Sequence, residues 1–419
     1  MAERAPVYGW FGDDFTGATD TLATLAERGF RALLFLGIPT PEHLAAAGPL
    51  DAIGIAGATR SLPPAAMDPI LDEAGRFFAE RGVRIMHYKC CSTFDSAPHV
   101  GSIGAAASAF RRHFPEGPII IIGGQPNLGR YCLFGQLFAA AGDGEVHRID
   151  RHPTMSRHPV TPMTEPDLRL HLALQGLRSI ALVSYLELEG DVPSTAAYEG
   201  ITLYDVSRES DLNAIARRLR SRFETGSGLF IGASSVARIA GELRRRTPQI
   251  PAYQPIGRAK GPVLALVGSL SPVTRAQVKA AEGFARLPID TARLRDDPSY
   301  GHGLYEQAVR SIASGHTMLV TEAPEAVADA PRSVAAATGQ LLRSIVDRAN
   351  IARLLVAGGD TSTLAIEALD IWGLSYRAPL VEGAPVCRAH SAGNRLDGLE
   401  IVLKGGQMGP PEFFRLASG

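Results

Sequence analysis

Along most of the chain, short apolar runs alternate with stretches in which apolar residues recur every three or four positions. VYGWF, residues 7–11, is rich in β-branched and aromatic residues and stops at Gly12, which predicts a buried strand. Ala18, Leu22, Leu25 and Ala26 then fall at helical spacing, with Thr16 placed to cap the helix start and Gly29 to end it. RALLFLGI, DAIGIAGATR, PILDEAGRFFAERG, VRIMHYK, a Gly/Ala-rich stretch over 102–114 and PIIIIGG repeat the alternation. IALVSYLE, ITLYDVS, DLNAIARRLRSRF and GLFIGASSVARIAGELRRR carry it further. This succession predicts βα units around a largely parallel sheet.

TPQIPAYQPIGRAKGP, residues 247–262, concentrates Pro, Gly and polar residues and reads as a linker. After it the pattern restarts with VLALVGS, a helix from Pro272 to about Arg286, HTMLVTE, a helix from Ser333 to Asn350, RLLVAGG, a helix from Thr361 to about Leu369, and EIVLKGG. The expected organisation is therefore two α/β domains with largely parallel sheets, 1–246 and 263–419, joined by the linker 247–262. The length of 419 residues agrees, since one hydrophobic core stops growing well below that size.

Composition narrows the function classes. A formal net charge of −1 gives no global attraction to nucleic acid or anionic membrane, so a charged ligand must be held by a local cluster. Four cysteines, Cys90, Cys91, Cys132 and Cys387, match neither a disulfide framework nor a zinc pattern. The N-terminus reaches charged residues too soon for a signal peptide, and no apolar run approaches the roughly 20 residues of a membrane span. A soluble cytoplasmic protein is expected, with small-molecule partners and compatible with a homo-oligomer.

Candidate chemistry collects where apolar runs end. Asp13 and Asp14 follow the first predicted strand, and ligands of open α/β sheets bind beyond the carboxyl ends of strands. The pair could take a proton from a hydroxyl, hydrogen-bond a polyol or hold Mg²⁺; equally, it could cap the turn. Arg60 follows GIAGAT; Lys89, Ser92, Thr93 and Asp95 follow IMHY; Gln125, Asn127 and Arg130 follow IIIIGG. Three cations and two aspartates at strand ends suit a small anionic, hydroxylated molecule, with arginine able to bind a carboxylate bidentately. His152, Arg157 and His158 lie in a Pro-rich stretch that matches no metal motif and reads as a rigid loop closing over the crevice, its histidines hydrogen-bonding locally.

In the second half, three glycine-bearing turns follow apolar runs: Gly268, Ser269, Ser271 and Thr274; Gly358, Gly359, Asp360 and Thr361; and Lys404, Gly405 and Gly406. Glycine lets backbone approach a ligand closely, and free N–H groups at a helix start attract phosphate. No Walker A motif or GxGxxG fingerprint is present, and any one turn alone could be structural. Asp360 could hold Mg²⁺ through water or cap its helix.

GDDFTGATD, ATRS, KCCSTFDS, QPNLGR, GSLSPVT, AGGDTS and LKGGQMG occur in an order that resembles the four-carbon acid sugar kinase family nearly end to end. The resemblance implies an N-terminal domain for the sugar acid, a C-terminal domain for ATP, and an active-site cleft between them. By motif it places Asp13, Asp14, Arg60, Lys89 and Arg130 on the substrate side, and Ser269, Gly358 to Thr361 and Gly405 on the nucleotide side. It further implies ATP and Mg²⁺ as cofactors and an Asp, 13 or 14, as proton acceptor. The chain has CSTFDSAPHVGSIG where many members read close to DSTLRGN, and LKGGQMG where many carry KxGNFG; a subgroup acting on 3-oxo-isoapionate is similar in these places. The rival readings are a non-catalytic nucleotide and metabolite sensor, and a dehydrogenase using the C-terminal half for a dinucleotide, against which the missing fingerprint argues.

Overall fold

The structure is a computed structural model that describes residues 6–190, 200–244, 253, 255–269, 271–322, 331–393 and 395–419, with the side chains of 222, 225, 244, 331–335 and 360 outside that description. The chain divides into two compact units, Met1–Pro251 and Ala252–Gly419. Of the turn-rich stretch read as a linker, residues 247–252 and 254 lie outside the described residues.

In the N-terminal unit the elements run β1 (Tyr8–Gly12), α1 (Phe15–Ala26), β2 (Ala32–Phe35), α2 (Pro41–Ala47), β3 (Ala52–Ala56), α3 (Pro64–Glu80), β4 (Ile85–Lys89), α4 (Ile103–Arg111) and β5 (Ile119–Ile122). Then come β6 (Arg130–Leu133), β7 (Gln136–Ala140), β8 (Val146–Arg148), α5 (Leu168–Ala173), β9 (Ile180–Val183), α6 (Tyr185–Glu189), β10 (Ile201–Tyr204), α7 (Glu209–Thr225), β11 (Gly228–Gly232) and α8 (Ser235–Arg244). The main sheet has the order β2-β3-β1-β4-β11-β5-β10-β9, all parallel; β6, β7 and β8 form a separate antiparallel sheet. After β1 the chain crosses to β2 and β3 on one side, and after β3 to β4 on the other, so the switch point falls between β1 and β4.

Burial explains why these runs are strands. Every residue of β1, β3, β4 and β11 is buried, as expected where helices cover both faces of a parallel sheet. Trp10 needs a gap beside it, which Gly54 of β3 provides: a Cβ there would stand 2.2 Å from the indole. The strand ends are level, with Ala56 and Lys89 paired to Gly12, and Gly232 paired to both Lys89 and Ile122.

The C-terminal unit comprises β12 (Val263–Val267), α9 (Pro272–Ala280), β13 (Phe284–Ile289), α10 (Thr291–Asp296), α11 (Pro298–Ser314), β14 (His316–Thr321), α12 (Pro331–Arg348), β15 (Arg353–Ala357) and α13 (Gly359–Glu367). It ends with β16 (Gly373–Val381), β17 (Ala384–His390), β18 (Glu400–Lys404) and α14 (Phe413–Ser418). Its strands are ordered β13-β14-β12-β15-β18-β17-β16, parallel as far as β18 and antiparallel through the β16–β17 hairpin. Val263, Ala265, Val267, Met318, Leu355, Ala357, Phe413 and Phe414 form the core.

Three readings of the pattern are corrected. The helix expected from Pro272 to Arg286 ends at Ala280, and Phe284–Ile289 is an edge strand with three exposed side chains, which mimics helical spacing. The helix expected from Thr361 begins at Gly359 and ends at Glu367. Asp14, not Thr16, caps α1. No helix among the described residues is long and apolar enough to cross a membrane.

Candidate active site

The turn after β1 is held by the two aspartates and one arginine. Asp14 accepts from Gly17 N at 2.8 Å, the bond that starts α1, and its other oxygen accepts from Thr16 Oγ1 at 2.6 Å and Arg60 Nη1 at 2.8 Å. The same guanidinium grips Asp13 bidentately, Nη2 to Oδ1 at 2.7 Å and Nε to Oδ2 at 3.1 Å. Arg60, expected among the cations that hold a ligand's carboxylate, is therefore engaged on the aspartates themselves. The capping role and the ion-pairing role of Asp14 coexist in one carboxylate.

The two carboxyls are pushed apart. Burial raises Asp13, and the attraction of Arg60 does not cancel it, so Asp13 lies above the ordinary carboxylate value. Burial acts on Asp14 too, but Arg60, Lys89 and the bonds from Thr16 and Gly17 outweigh it and leave Asp14 below that value. Asp14 is a fixed anion; Asp13 is the better proton acceptor near neutrality.

Lys89 closes the other side. It ends β4 in register with Gly12, is buried, and donates from Nζ to Cys90 O at 2.6 Å. A Cβ at Gly17 would stand 2.6 Å from that Nζ and 2.8 Å from Asp14 Oδ1, so only glycine lets the ammonium and the carboxylate share this corner.

The loop after β4 is strained and buttressed. Phe94 has φ +53° although it is buried, a conformation costly for a bulky residue. Its carbonyl accepts from Ser96 Oγ at 2.9 Å and lies 3.1 Å from His171 Nε2, which must donate because a carbonyl cannot. Gln175 adds a bond to Ser96 Oγ at 2.8 Å. This holds Thr93 Oγ1 on Asp95 Oδ1 at 2.5 Å, with Cys91 Sγ 2.9 Å from the same hydroxyl; Ser92 is half-buried in the same turn. All four cysteines are free thiols.

Arg130 begins β6, after the turn that follows β5, and is nine-tenths buried. It donates from Nη1 to Leu128 O, and its Nε has no partner among the described residues. Burial lowers its pKa, opposed by the nearby Cys91 and Asp95. The guanidinium with an unspent buried donor in this unit's row of strand ends is thus Arg130. Gln125, from the same turn, donates to Asp20 Oδ2 at 3.0 Å, and Ser234 donates to the same oxygen. Asp20, His171, Gln175 and Ser234 are absent from the candidates that the sequence suggests; their partners lie 75 or more residues away or on another element, so no local signal marks them. His152 and His158 accept from the backbone N–H groups of Thr154, Met155 and Thr161, as loop residues do.

In the C-terminal unit the three glycine turns stand level. Val267 and Lys404 are each paired to Ala357, so Gly268, Gly358 and Gly405 each come one residue beyond the same row. Gly268 N and Ser269 N both donate to Ala357 O, and Gly358 N donates to Lys404 O. Gly358 has φ +127°, left-handed backbone that favours glycine, and leads into α13 without a side-chain cap, leaving the positive end of a helix dipole open. Gly359 and Thr361 belong to the first turn of that helix; the side chain of Asp360 lies outside the described residues. Ser271 caps α9 by accepting from Thr274 N at 3.1 Å, and both hydroxyls donate to Gly406 O. A Cβ at Gly268 would stand 1.9 Å from Thr361 Oγ1, and one at Gly406 2.6 Å from Ser269 Oγ.

A Gly268→Ala substitution is accordingly expected to drive two of these turns apart. Overpacking of this kind costs about 1–3 kcal/mol of stability in this unit, and urea unfolding of the variant against the wild type checks it.

A family model described as a sugar-binding N-terminal domain matches residues 8–240, and one described as a nucleotide-binding C-terminal domain matches 264–414. A 3-oxo-isoapionate kinase of Paraburkholderia graminis is 40% identical over 97% of this chain and 92% of its own. The chain belongs to the four-carbon acid sugar kinase family. A second kinase of the family, a 3-oxo-tetronate kinase of Methylobacterium radiotolerans, is 30% identical over 97% of each chain. A solved Haemophilus influenzae protein from a family long classed as a domain of unknown function covers 98% of each chain with a TM-score of 0.69 at 23% identity, a likeness of fold. This kinase is a phosphotransferase with an alcohol group as acceptor. Its sugar-binding domain contains the Asp13, Asp14 and Arg60 constellation, and its nucleotide-binding domain contains the three level glycine turns.

Proposed function

We propose that the kinase transfers the γ-phosphoryl group of ATP to a hydroxyl of a small branched or oxidised acid sugar of the 3-oxo-isoapionate type, with a 3-oxo-tetronate as the poorer substrate. The observation that carries this reading is the division of labour around Arg60: one aspartate fixed as an anion, the other left with a raised pKa at a level row of strand ends. The 40% identity to a 3-oxo-isoapionate kinase supports the choice of acid.

Asp13 accepts the proton of the attacking hydroxyl. Arg60 orients Asp13 and Asp14, and Lys89 and Arg130 hold the acid group, Arg130 with its free Nε. Ser92 and Thr93 line the sugar. In the other unit Gly268, Ser269, Ser271, Thr274, Gly358, Gly359, Thr361, Gly405 and Gly406 hold ATP, with Asp360 beside them, because glycine there gives the phosphates close access to backbone N–H groups. Mg²⁺, the counter-ion of the nucleotide, would offset charge on the phosphates; no protein ligand is assigned to it. Catalysis is then mainly positioning and charge stabilisation.

Incubation with ATP, Mg²⁺ and a panel of four- and five-carbon acid sugars, followed by assay of ADP, tests the proposal. ADP formation should be fastest with 3-oxo-isoapionate and should stop when Mg²⁺ is chelated. ADP with none of the acids, together with tight metabolite binding, would establish the non-catalytic sensor instead.

A further inference from the structure

Lys404 ends β18 directly before Gly405, and its ammonium is turned into the protein. Nζ donates to Thr274 Oγ1 at 3.0 Å, Gly405 O at 2.9 Å and Met408 O at 3.2 Å, so the three donors of the ammonium meet three oxygens. The face of the Phe413 ring lies 5.6 Å away. Around this cage the loop that follows is strapped from inside. Ser271 and Thr274 donate to Gly406 O, and Gln277 Nε2 donates to the carbonyls of Met408, Gly409 and Pro410 at 2.8–3.0 Å. One face of α9 and one lysine thus claim the carbonyls of Gly405, Gly406, Met408, Gly409 and Pro410, which turns this loop's acceptors away from any anion at the glycine turns.

We propose that Lys404 is a positioning residue for the nucleotide, a buried amine beneath the phosphate turns whose protonation is coupled to the ligand's charge, so that nucleotide binding draws a proton into the protein. The proposal rests on the C-terminal unit being the nucleotide-binding one. Lys404 is not a direct phosphate ligand, because its donors are spent on Thr274, Gly405 and Met408.

Burial pulls Lys404 from its ordinary 10.5 down to about 7. Among the described residues, the side chains that touch it, Thr274 of α9 and Phe413 of α14, carry no charge to oppose that. The charged residues of the packed elements stand elsewhere. Arg275 and Lys279 of α9 and Arg415 of α14 are exposed, while Arg353, Arg388 and Glu400 lie toward the opposite ends of β15, β17 and β18. The side chain of Asp360 is outside the described residues. An anionic nucleotide at Gly268, Gly358 and Gly405 stabilises the charged lysine, and by reciprocity the charged lysine stabilises the nucleotide. Near pH 8 the free protein holds Lys404 mostly neutral, so binding takes up a proton. Near pH 6 the lysine is already charged and uptake vanishes. Nucleotide affinity therefore falls as pH rises through this range. His316 and His390 cannot supply the effect, since burial holds both below the usual histidine range and they lie at the amino edge of β14 and beside the start of β18.

Calorimetric titration of the full chain with the Mg²⁺ complex of a non-hydrolysable ATP analogue, in pairs of buffers with different ionisation heats, reads the proton directly. The wild type should show uptake rising from near zero at about pH 6 toward one proton at about pH 8, and Lys404→Met should show none at either pH. Thr274→Val, which removes one acceptor and keeps the volume, should move the rise to lower pH. A flat wild-type profile overturns the inference whatever the variants do, and so does uptake that survives in Lys404→Met. A wild type that binds no nucleotide at any pH removes the nucleotide reading itself, and this inference with it.

Discussion

Asp13→Asn is expected to lower turnover by about 10²–10⁴-fold, the usual worth of a positioned base, with nucleotide affinity unchanged. Asparagine keeps the size of the side chain and one acceptor for Arg60, so the loss would reflect proton transfer and not collapse of the turn. The two carboxylates differ in what they have left to give. Asp14 is bonded by Gly17 N, Thr16 Oγ1 and Arg60 Nη1, and its pKa is lowered; Asp13, among the described side chains, is bonded by Arg60 alone and is raised by burial. A carboxylate raised in this way accepts a proton more readily and is itself protonated sooner as pH falls. Turnover in the wild type should therefore decline on the acid side as Asp13 takes up its proton, and this limb should be missing from the residual activity of Asp13→Asn. Steady-state kinetics across pH, with saturation by each substrate separately, decides the matter. Near-normal turnover in Asp13→Asn would move the role of base to another group, with Asp14→Asn as the next variant to assay.

Arg60→Met is expected to destabilise the N-terminal unit by ~3–5 kcal/mol, the cost of stripping the partner from a buried charge pair. Arg60 joins two aspartates that are each about 4% exposed, and Met would leave them side by side with Lys89 as the remaining cation of the corner. Trp10, fully buried in β1 just before the turn, provides a fluorescence probe of that unit in urea once Trp372 of the other unit is replaced by Phe in both proteins. The penalty should shrink on acidification. Without Arg60 the burial that raises Asp13 meets less opposition, so its folded-state pKa stands further above its unfolded one, the folded state binds more protons there and stability rises as pH falls through that window. A variant equally destabilised at pH 7 and at about pH 5 would mean that Arg60 acts through packing and not through charge.

Much of this arrangement is legible in the amino-acid sequence. The alternation of apolar runs and helical stretches marks the parallel strands, because buried parallel strands are apolar throughout and their length is short. Asp13, Asp14, Lys89 and the three glycine turns stand out because each stands at the end of such a run, and Arg130 because it closes the polar turn after one. β13 escapes the pattern for the opposite reason: Phe284–Ile289 sits at a sheet edge, exposes Ala285, Arg286 and Pro288, and so keeps only part of an apolar face. The hairpin of β16 and β17 and the long α11 escape it as well. The pairing of Arg60 with the aspartates has no local mark; its partners lie 46 and 47 residues earlier and meet it only once β1 and β3 pair. A lysine before Gly-Gly suggests a side chain reaching for the nucleotide, but the inward turn of Lys404 depends on Thr274, 130 residues away.

Val267, Ala357 and Lys404 form a single cross-strand row, and Gly268, Gly358 and Gly405 inherit their alignment from it. The proposed nucleotide site is thus an index of strand register. A slip of β12, β15 or β18 by one residue would shift one glycine about 3.3 Å along the strand and turn its neighbour's side chain to the other face of the sheet. A chain that has collapsed with the right strands in the wrong register would keep its secondary structure and lose the turns together. Nucleotide binding in this unit can serve as a gauge of correct assembly, finer than circular dichroism, during refolding or across a library of core variants.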